Sequence, residues 1–442
     1  MRIAHGADEA RRTVLRRTPA AAELPAAARE TIQRIFGAEL AVSDVVERIM
    51  REVREGGDAA VRRYNQELDG VSSEPTLEVA ADEIEAAYDK LPKDLVAALR
   101  DAADQIRRFH KRQMEHTLHS FQKDGVGQTV RPISRVGMYV PGTAAVYPST
   151  VLMIAIPAAA AGVEQLIMAT PALPDGSVSP LKLVAADIAG VSRVFRAGGV
   201  QGIAALAYGT ESVPAVDKIC GPGNVFVTEA KRQLYGVVGL DGVFGPSETV
   251  VIADTSAKPA LVAADLLAGA EHDQLATAIL ICTSEPMASA ALAELQAQLT
   301  GIARAEVARA SLEARGGIAV VSDVDQAIEL ANEFAPEHLC LHVRGAESFV
   351  DKVRAAGAVF AGVNSAESIG DFTAGPSHVM PTGGSARFAS PLGVHDFLKA
   401  TSVIALDARA LARLGPPAAA IARAEGFTGH ALSIERRLRR DE

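Results

Sequence analysis

From about Ala20 to His119, apolar residues recur at helical spacing in a background of Ala, Glu, Arg and Leu, which predicts successive amphipathic helices packed on another unit. One long helix is expected over 93–116, with Leu95, Ala98, Leu99, Ala102, Ile106 and Phe109 on one face. After Val130 the pattern changes. Short apolar runs with strand character at 136–140, 165–170, 193–197, 249–253, 278–282, 318–321, 339–343 and 358–361 alternate with Ala-rich helical stretches at 150–161, 180–189, 225–234 and 259–273. Such alternation predicts an α/β chain with parallel sheets covered by helices on both faces, and ligands at the carboxyl ends of the strands. The tail after Gly384 carries no strand signal and reads as an appended helical piece.

Four polar, glycine-rich segments fall at the expected strand ends: Tyr139-Val140-Pro141-Gly142-Thr143, Gly198-Gly199-Val200-Gln201-Gly202, Gly221-Pro222-Gly223-Asn224 and Gly245-Pro246-Ser247-Glu248. Each is either a tight turn or a place where backbone approaches a ligand, because glycine tolerates left-handed backbone and a following helix presents free N–H groups to an anion. Their concentration in one part of the chain points to a shared site. No GxGxxG follows a strand, so the usual dinucleotide fingerprint is absent.

A chain of 442 residues exceeds what one hydrophobic core supports, so two or more packed units are expected. A net charge of −10, no basic stripe and no Trp argue against nucleic acid as the partner and favour a small molecule. The three cysteines, Cys220, Cys282 and Cys340, include no CxxC pair, which fits a reducing, cytoplasmic setting. Charges run through the segment from Asp8 to Arg17 where a signal peptide would be apolar. The longest apolar run, 151–162, contains Pro157 and falls short of the roughly 20 residues that span a bilayer, so a soluble protein without a membrane partner is expected.

Acid and histidine residues cluster in four places: Glu271-His272-Asp273 at the end of an apolar helix, Glu337-His338 after Pro336, the loop from Gly370 to His378 with Asp371, and Glu425 to His430 on a glycine-rich loop. Imidazoles and carboxylates drawn from distant segments are how catalytic metal sites are assembled, although no HExxH or CxxC spacing occurs. Alternatives remain for each: His272 as a structural histidine, Asp371 as a local turn cap. Glu337 and His338 share a pocket only if the proline turn makes their backbone irregular, since neighbours on a strand face opposite ways. His110, His116 and His119 are expected on a solvated helix face, and His342 and His395 in structural roles.

In this order and context the segments resemble the histidinol dehydrogenase family, from roughly Leu40 to the C-terminus and most densely at 135–157, 198–270, 332–339 and 369–400. The resemblance implies two Rossmann-like domains without the usual GxGxxG, smaller helical extensions, and an intertwined homodimer. On this chain that divides into an N-terminal helical extension (1–29), a discontinuous first domain (30–138 with 247–384), a second domain (139–246) and a C-terminal extension that completes the site (385–442). It implies NAD contacts at Tyr139, Gln201 and Asn224, one Zn2+ per subunit on His272, Asp371 and His430, and a catalytic pair Glu337 and His338. Substrate contacts fall on Ser247, His272, His338, Asp371, His378, Glu425 and His430.

One departure stands out. The family's fourth zinc ligand is a glutamine three residues before the histidine, and this chain has Gly269, which offers no donor. The implied activity is oxidation of L-histidinol through the aldehyde to L-histidine with two NAD, the last step of histidine biosynthesis. The alternative is a related NAD- and zinc-dependent dehydrogenase acting on another amino alcohol or a polar diol. His338, with an ordinary pKa near 6.5, would take the hydroxyl proton, and Glu337 a proton from water in the second oxidation.

Overall fold

The computed structural model describes residues 1–17, 24, 26–72, 76–142 and 146–439. In chain order its strands are β1 (Arg2–His5), β2 (Phe121–Lys123), β3 (Val126–Pro132), β4 (Arg135–Tyr139), β5 (Gln165–Thr170), β6 (Arg193–Arg196), β7 (Lys218–Cys220), β8 (Gly239–Leu240), β9 (Glu248–Ala253), β10 (Thr277–Cys282), β11 (Gly317–Val320), β12 (His338–His342), β13 (Ala358–Ala361) and β14 (Leu398–Ile404). They form a six-stranded sheet ordered β1-β11-β10-β9-β12-β13, a five-stranded sheet ordered β6-β5-β4-β7-β8, and a small sheet ordered β14-β3-β2. Every pairing in the two large sheets is parallel. The expected α/β class with two parallel-sheet units and added helices is what the chain adopts.

Both large sheets are covered on both faces, so their strands read as continuous apolar runs. In β10 only Thr277 is not fully buried, and in β9 every residue is buried. The crossover helices Pro148–Ala161, Pro180–Ala189 and Pro259–Ala270 each start on a proline, whose fixed φ suits the first helical turn.

Four expectations need correction. The N-terminal segment is not only helical: β1 pairs in parallel with β11 along the edge of the six-stranded sheet, ahead of a short helix (Ala7–Arg12). Residues 18–23 and 25 lie outside the described residues. The helices Val42–Asp69 and Lys93–Glu115, assigned to the unit containing 247–384, instead cover the five-stranded sheet. Val46, Ile49, Val53, Val61 and Tyr64 pack with Ile203 and Leu206, while Leu99, Ala103 and Ile106 pack with Leu152 and Ile156. Strand β4 belongs to that sheet too, so a boundary at 138/139 would cut it.

In the Lys93–Glu115 helix the buried stripe is Val96, Leu99, Ala102, Ala103, Ile106 and His110. Leu95 and Phe109 are 38% and 36% exposed, and His110 continues the stripe with its Nδ1 3.0 Å from Gln113 Oε1. Finally, the tail does contain a strand. β14 pairs antiparallel with β3 from Leu398↔Pro132 to Ile404↔Val126, a sheet whose largely exposed, mixed sequence leaves little apolar pattern to detect.

A buried ion pair shapes one edge of the five-stranded sheet. Lys231 Nζ donates to Asp241 Oδ1 (2.5 Å) and to the Gly221 carbonyl (2.9 Å), and Gly221 N–H donates to Asp241 Oδ2 (2.6 Å). Gly221 has φ +117°, and a Cβ there would lie 2.1 Å from the Tyr139 carbonyl oxygen, so only glycine fits the turn. Asp241→Ala would strand a buried ammonium and is expected to cost about 3–5 kcal/mol. A urea unfolding curve checks this; a midpoint unchanged from the parent would show that Lys231 escapes to solvent.

Candidate active site

In the five-stranded sheet the chain runs from β4 outward through β5 to β6, then returns to β7 on the other side of β4. The crevice at the carboxyl ends of β4 and β7 is therefore the topological switch point where doubly wound sheets bind ligands. Tyr139 closes β4 there, buried, and its hydroxyl accepts from Gly199 N–H at 3.0 Å. Gln201, in the first turn of the Gly199–Tyr208 helix, is fully buried; its amide donates to Asp69 Oδ2 (2.9 Å) and Asn65 Oδ1 (3.2 Å), and its Oε1 has no partner. Asn224 caps the Val225–Gln233 helix, accepting from Phe226 and Val227 N–H at 3.1 Å each. The buried Gln201 acceptor with nothing to accept, set at this switch point, suits a polar ligand. Thr143, at the end of the first glycine-rich segment, lies outside the described residues.

The acid and histidine residues gather elsewhere, at the amino ends of β9 and β12 in the six-stranded sheet, and not at carboxyl ends as expected. His338 opens β12 opposite Thr249 of β9. Ala335, left-handed at φ +51°, and Pro336 make the irregular turn that lets Glu337 and His338 face one pocket. The side chain of His338 is 3% exposed. Its Nδ1 lies 3.5 Å from Glu367 Oε1 and 3.7 Å from Glu337 Oε2, its Nε2 3.5 Å from Asp371 Oδ1, and neither nitrogen forms a hydrogen bond. His272, just beyond the Pro259–Ala270 helix, places Nε2 3.8 Å from Asp371 Oδ2, with its side chain 38% exposed.

Burial sets the protonation states. It pushes Glu337 and Glu367 up to about 7 each, against the pull of His338. Burial alone would lower the His338 pKa, but Glu367, Glu337 and Asp371 outweigh it and raise it above the ordinary value. Burial likewise favours a protonated Asp371, yet His338, His378 and His272 hold it below the usual range. Desolvation lowers His272 and His378 below the ordinary imidazole value, against the opposing pull of Asp371.

The remaining predicted positions divide. His378 sits beside the cluster: its Nδ1–H donates to the Asp371 carbonyl (2.8 Å), and the Thr150 hydroxyl lies 3.1 Å from its Nε2. Ser247 precedes β9, and its carbonyl accepts from Thr277 N–H. Glu425 and His430 are exposed on the hairpin of helices Ala408–Ala424 and Thr428–Leu438, outside the intrachain cluster. Glu367 was missed by sequence reasoning. It stands one helical turn before Asp371 in the Glu367–Phe372 helix, and that i,i+4 spacing was the available signal.

A profile of the histidinol dehydrogenase family matches residues 34–438. The chain belongs to the histidinol dehydrogenase family. A histidinol dehydrogenase of Deinococcus radiodurans is 48% identical over 442 residues, covering 99% of this chain and 100% of that protein. One from Moorella thermoacetica is 50% identical over 395 residues, covering 89% and 93%. The crystal structure of histidinol dehydrogenase from Elizabethkingia anophelis superposes with a TM-score of 0.89 at 32% identity, covering 99% and 98%.

A cation is implied by the family, and the donor chemistry here fits one: ligand atoms of His272, Glu367 and Asp371 all lie within 4.8 Å of one another. For the other half of the site, Asn224→Ala is expected to destabilise the protein by about 1 kcal/mol through the lost cap, while Asn224→Asp keeps it. Thermal melts of the two variants check this, and equal loss in both would show that capping is not what Asn224 contributes.

Proposed function

We propose that the chain is an NAD-dependent dehydrogenase that oxidises L-histidinol through the aldehyde to L-histidine, the last step of histidine biosynthesis. The observation that carries the reading is His338: a buried imidazole with both nitrogens unpartnered, set between Glu337, Glu367 and Asp371, the last of which also lies against His272.

In this reading Tyr139, Gln201 and Asn224 hold the dinucleotide at the switch point, and His338 takes the proton of the substrate hydroxyl as hydride leaves. Glu337 takes the proton of the water that adds to the aldehyde, and its pKa near 7 suits a base at neutral pH. Its Oε2 accepts from Glu248 N–H (3.1 Å), and Glu248 is itself held by Arg17 at 2.7 and 2.9 Å, so the base is braced from the N-terminal segment. A zinc ion on His272 and Asp371 would anchor and polarise the amino alcohol. Asp371 is among the carboxylates that raise the His338 pKa, and a cation held there would weaken that pull and favour the neutral imidazole as a base. His378 and Ser247 line the path of the substrate's far end.

Glu425 and His430 reach a site through a second copy of the chain. In this reading the chain is a homodimer, and the exposed Ile421, Phe427 and Leu432 on that hairpin are an apolar surface for the second copy to cover.

Progress curves should show two NADH formed per histidinol; one would sink the four-electron reading. His338→Asn should depress both oxidations by roughly 10²–10⁴-fold, whereas Glu337→Gln should depress aldehyde oxidation and spare alcohol oxidation. Single-turnover NADH traces separate the two steps, and equal losses in Glu337→Gln would remove it from the water step. Mixing inactive Asp371→Ala with inactive His430→Ala should restore about a quarter of the parent activity, because about half the dimers are mixed and each carries one intact site. No recovery after subunit exchange would show that His430 does not reach the site from the partner subunit.

A further inference from the structure

Where a glutamine ligand is expected, this chain has Gly269, and the structure shows what uses the space. A Cβ at 269 would lie 2.3 Å from Thr249 Oγ1 and 2.7 Å from Thr249 Cβ, so the threonine side chain occupies the room a longer residue would need. The Thr249 hydroxyl donates to Glu367 Oε1 at 3.0 Å, and the Cys340 thiol faces Oε2 at 3.8 Å. Glu367 is fully buried, as is the His338 ring beside it with its two unpartnered nitrogens. A carboxylate without a cationic side chain of its own is costly at such a position, and His338 cannot balance three of them.

We propose that Glu367 replaces the absent glutamine as a cation ligand alongside His272 and Asp371, and that the contact between Gly269 and Thr249 aims it. This rests on the reading of the cluster as a cation-assisted dehydrogenase centre. The exchange turns a neutral amide donor into an anionic oxygen, so two carboxylates and one imidazole face a divalent ion. It also predicts that Gly269→Gln alone is sterically blocked and does not improve binding, unless Thr249 is shortened with it.

The test is cation affinity of chelator-stripped protein, read by Zn2+ competition with a chromophoric chelator and by the visible absorption of the Co2+-loaded form. Glu367→Gln should weaken Zn2+ binding by at least about tenfold and change the Co2+ spectrum, and Thr249→Ala should weaken binding more mildly. In the Gly269→Gln/Thr249→Ala background, adding Glu367→Gln should cost little, since the glutamine then supplies the donor. Native affinity and spectrum in Glu367→Gln, with both lost in His272→Ala and Asp371→Ala, would overturn the assignment of Glu367 alone. Retention of the ion in His272→Ala and Asp371→Ala would overturn the centre itself. If Glu367→Gln fails to fold by circular dichroism, Thr249→Ala decides: unchanged Zn2+ affinity there overturns the proposal.

Discussion

The constraint on which the structure turns is the enclosure of one imidazole by three carboxylates. Each of Glu337, Glu367 and Asp371 leaves water at a cost that hydrogen bonds and opposite charge must offset, and a single His338 offsets only part of it. The surroundings answer locally: Glu248 N–H for Glu337, Thr249 and Cys340 for Glu367, His378 and His272 near Asp371. What remains is an excess of negative charge in a low-dielectric pocket, the condition under which a divalent cation binds well.

That pocket lies on a seam. Its walls come from the amino ends of β9 and β12, while the topological switch point lies on the other sheet. The segment from Ser377 to Thr382 ties the two together. Ser377 donates to the Met153 carbonyl (3.0 Å) and His378 meets Thr150, both on the helix that follows β4, while the Thr382 hydroxyl accepts from Gly245 N–H (2.5 Å) just ahead of β9. One loop thus joins the helix that follows β4 to the segment ahead of β9, which limits how far the two sheets can drift from one another.

Much of this was legible in the sequence, for physical reasons. Strands buried on both faces, such as β5, β9 and β10, announce themselves as unbroken apolar runs, and prolines at helix starts mark the crossovers. The edge strand β1 and the outer sheet of β2, β3 and β14 carry no such signal because they bury little. The helices over 42–115 were recognised as amphipathic, but which sheet they cover depends on the shape of the partner surface. Within the site, Glu337, His338, His272, Asp371 and His378 converge as their motifs suggested. Glu367 carries no motif of its own, because a glutamate in Glu367-Ser368-Ile369-Gly370 reads as a surface helix residue, and the sequence does not record that the Thr249 side chain fills the space beside Gly269. Glu425 and His430 stand apart from this cluster, exposed on the hairpin of the last two helices.

Anomalous diffraction at the zinc edge, on crystals of the active enzyme, tests the central claim most directly. A single strong peak bounded by His272, Glu367 and Asp371 beside His338 is the predicted result. Full activity in crystals with no peak there, or with the ion bound in another part of the chain, would contradict it.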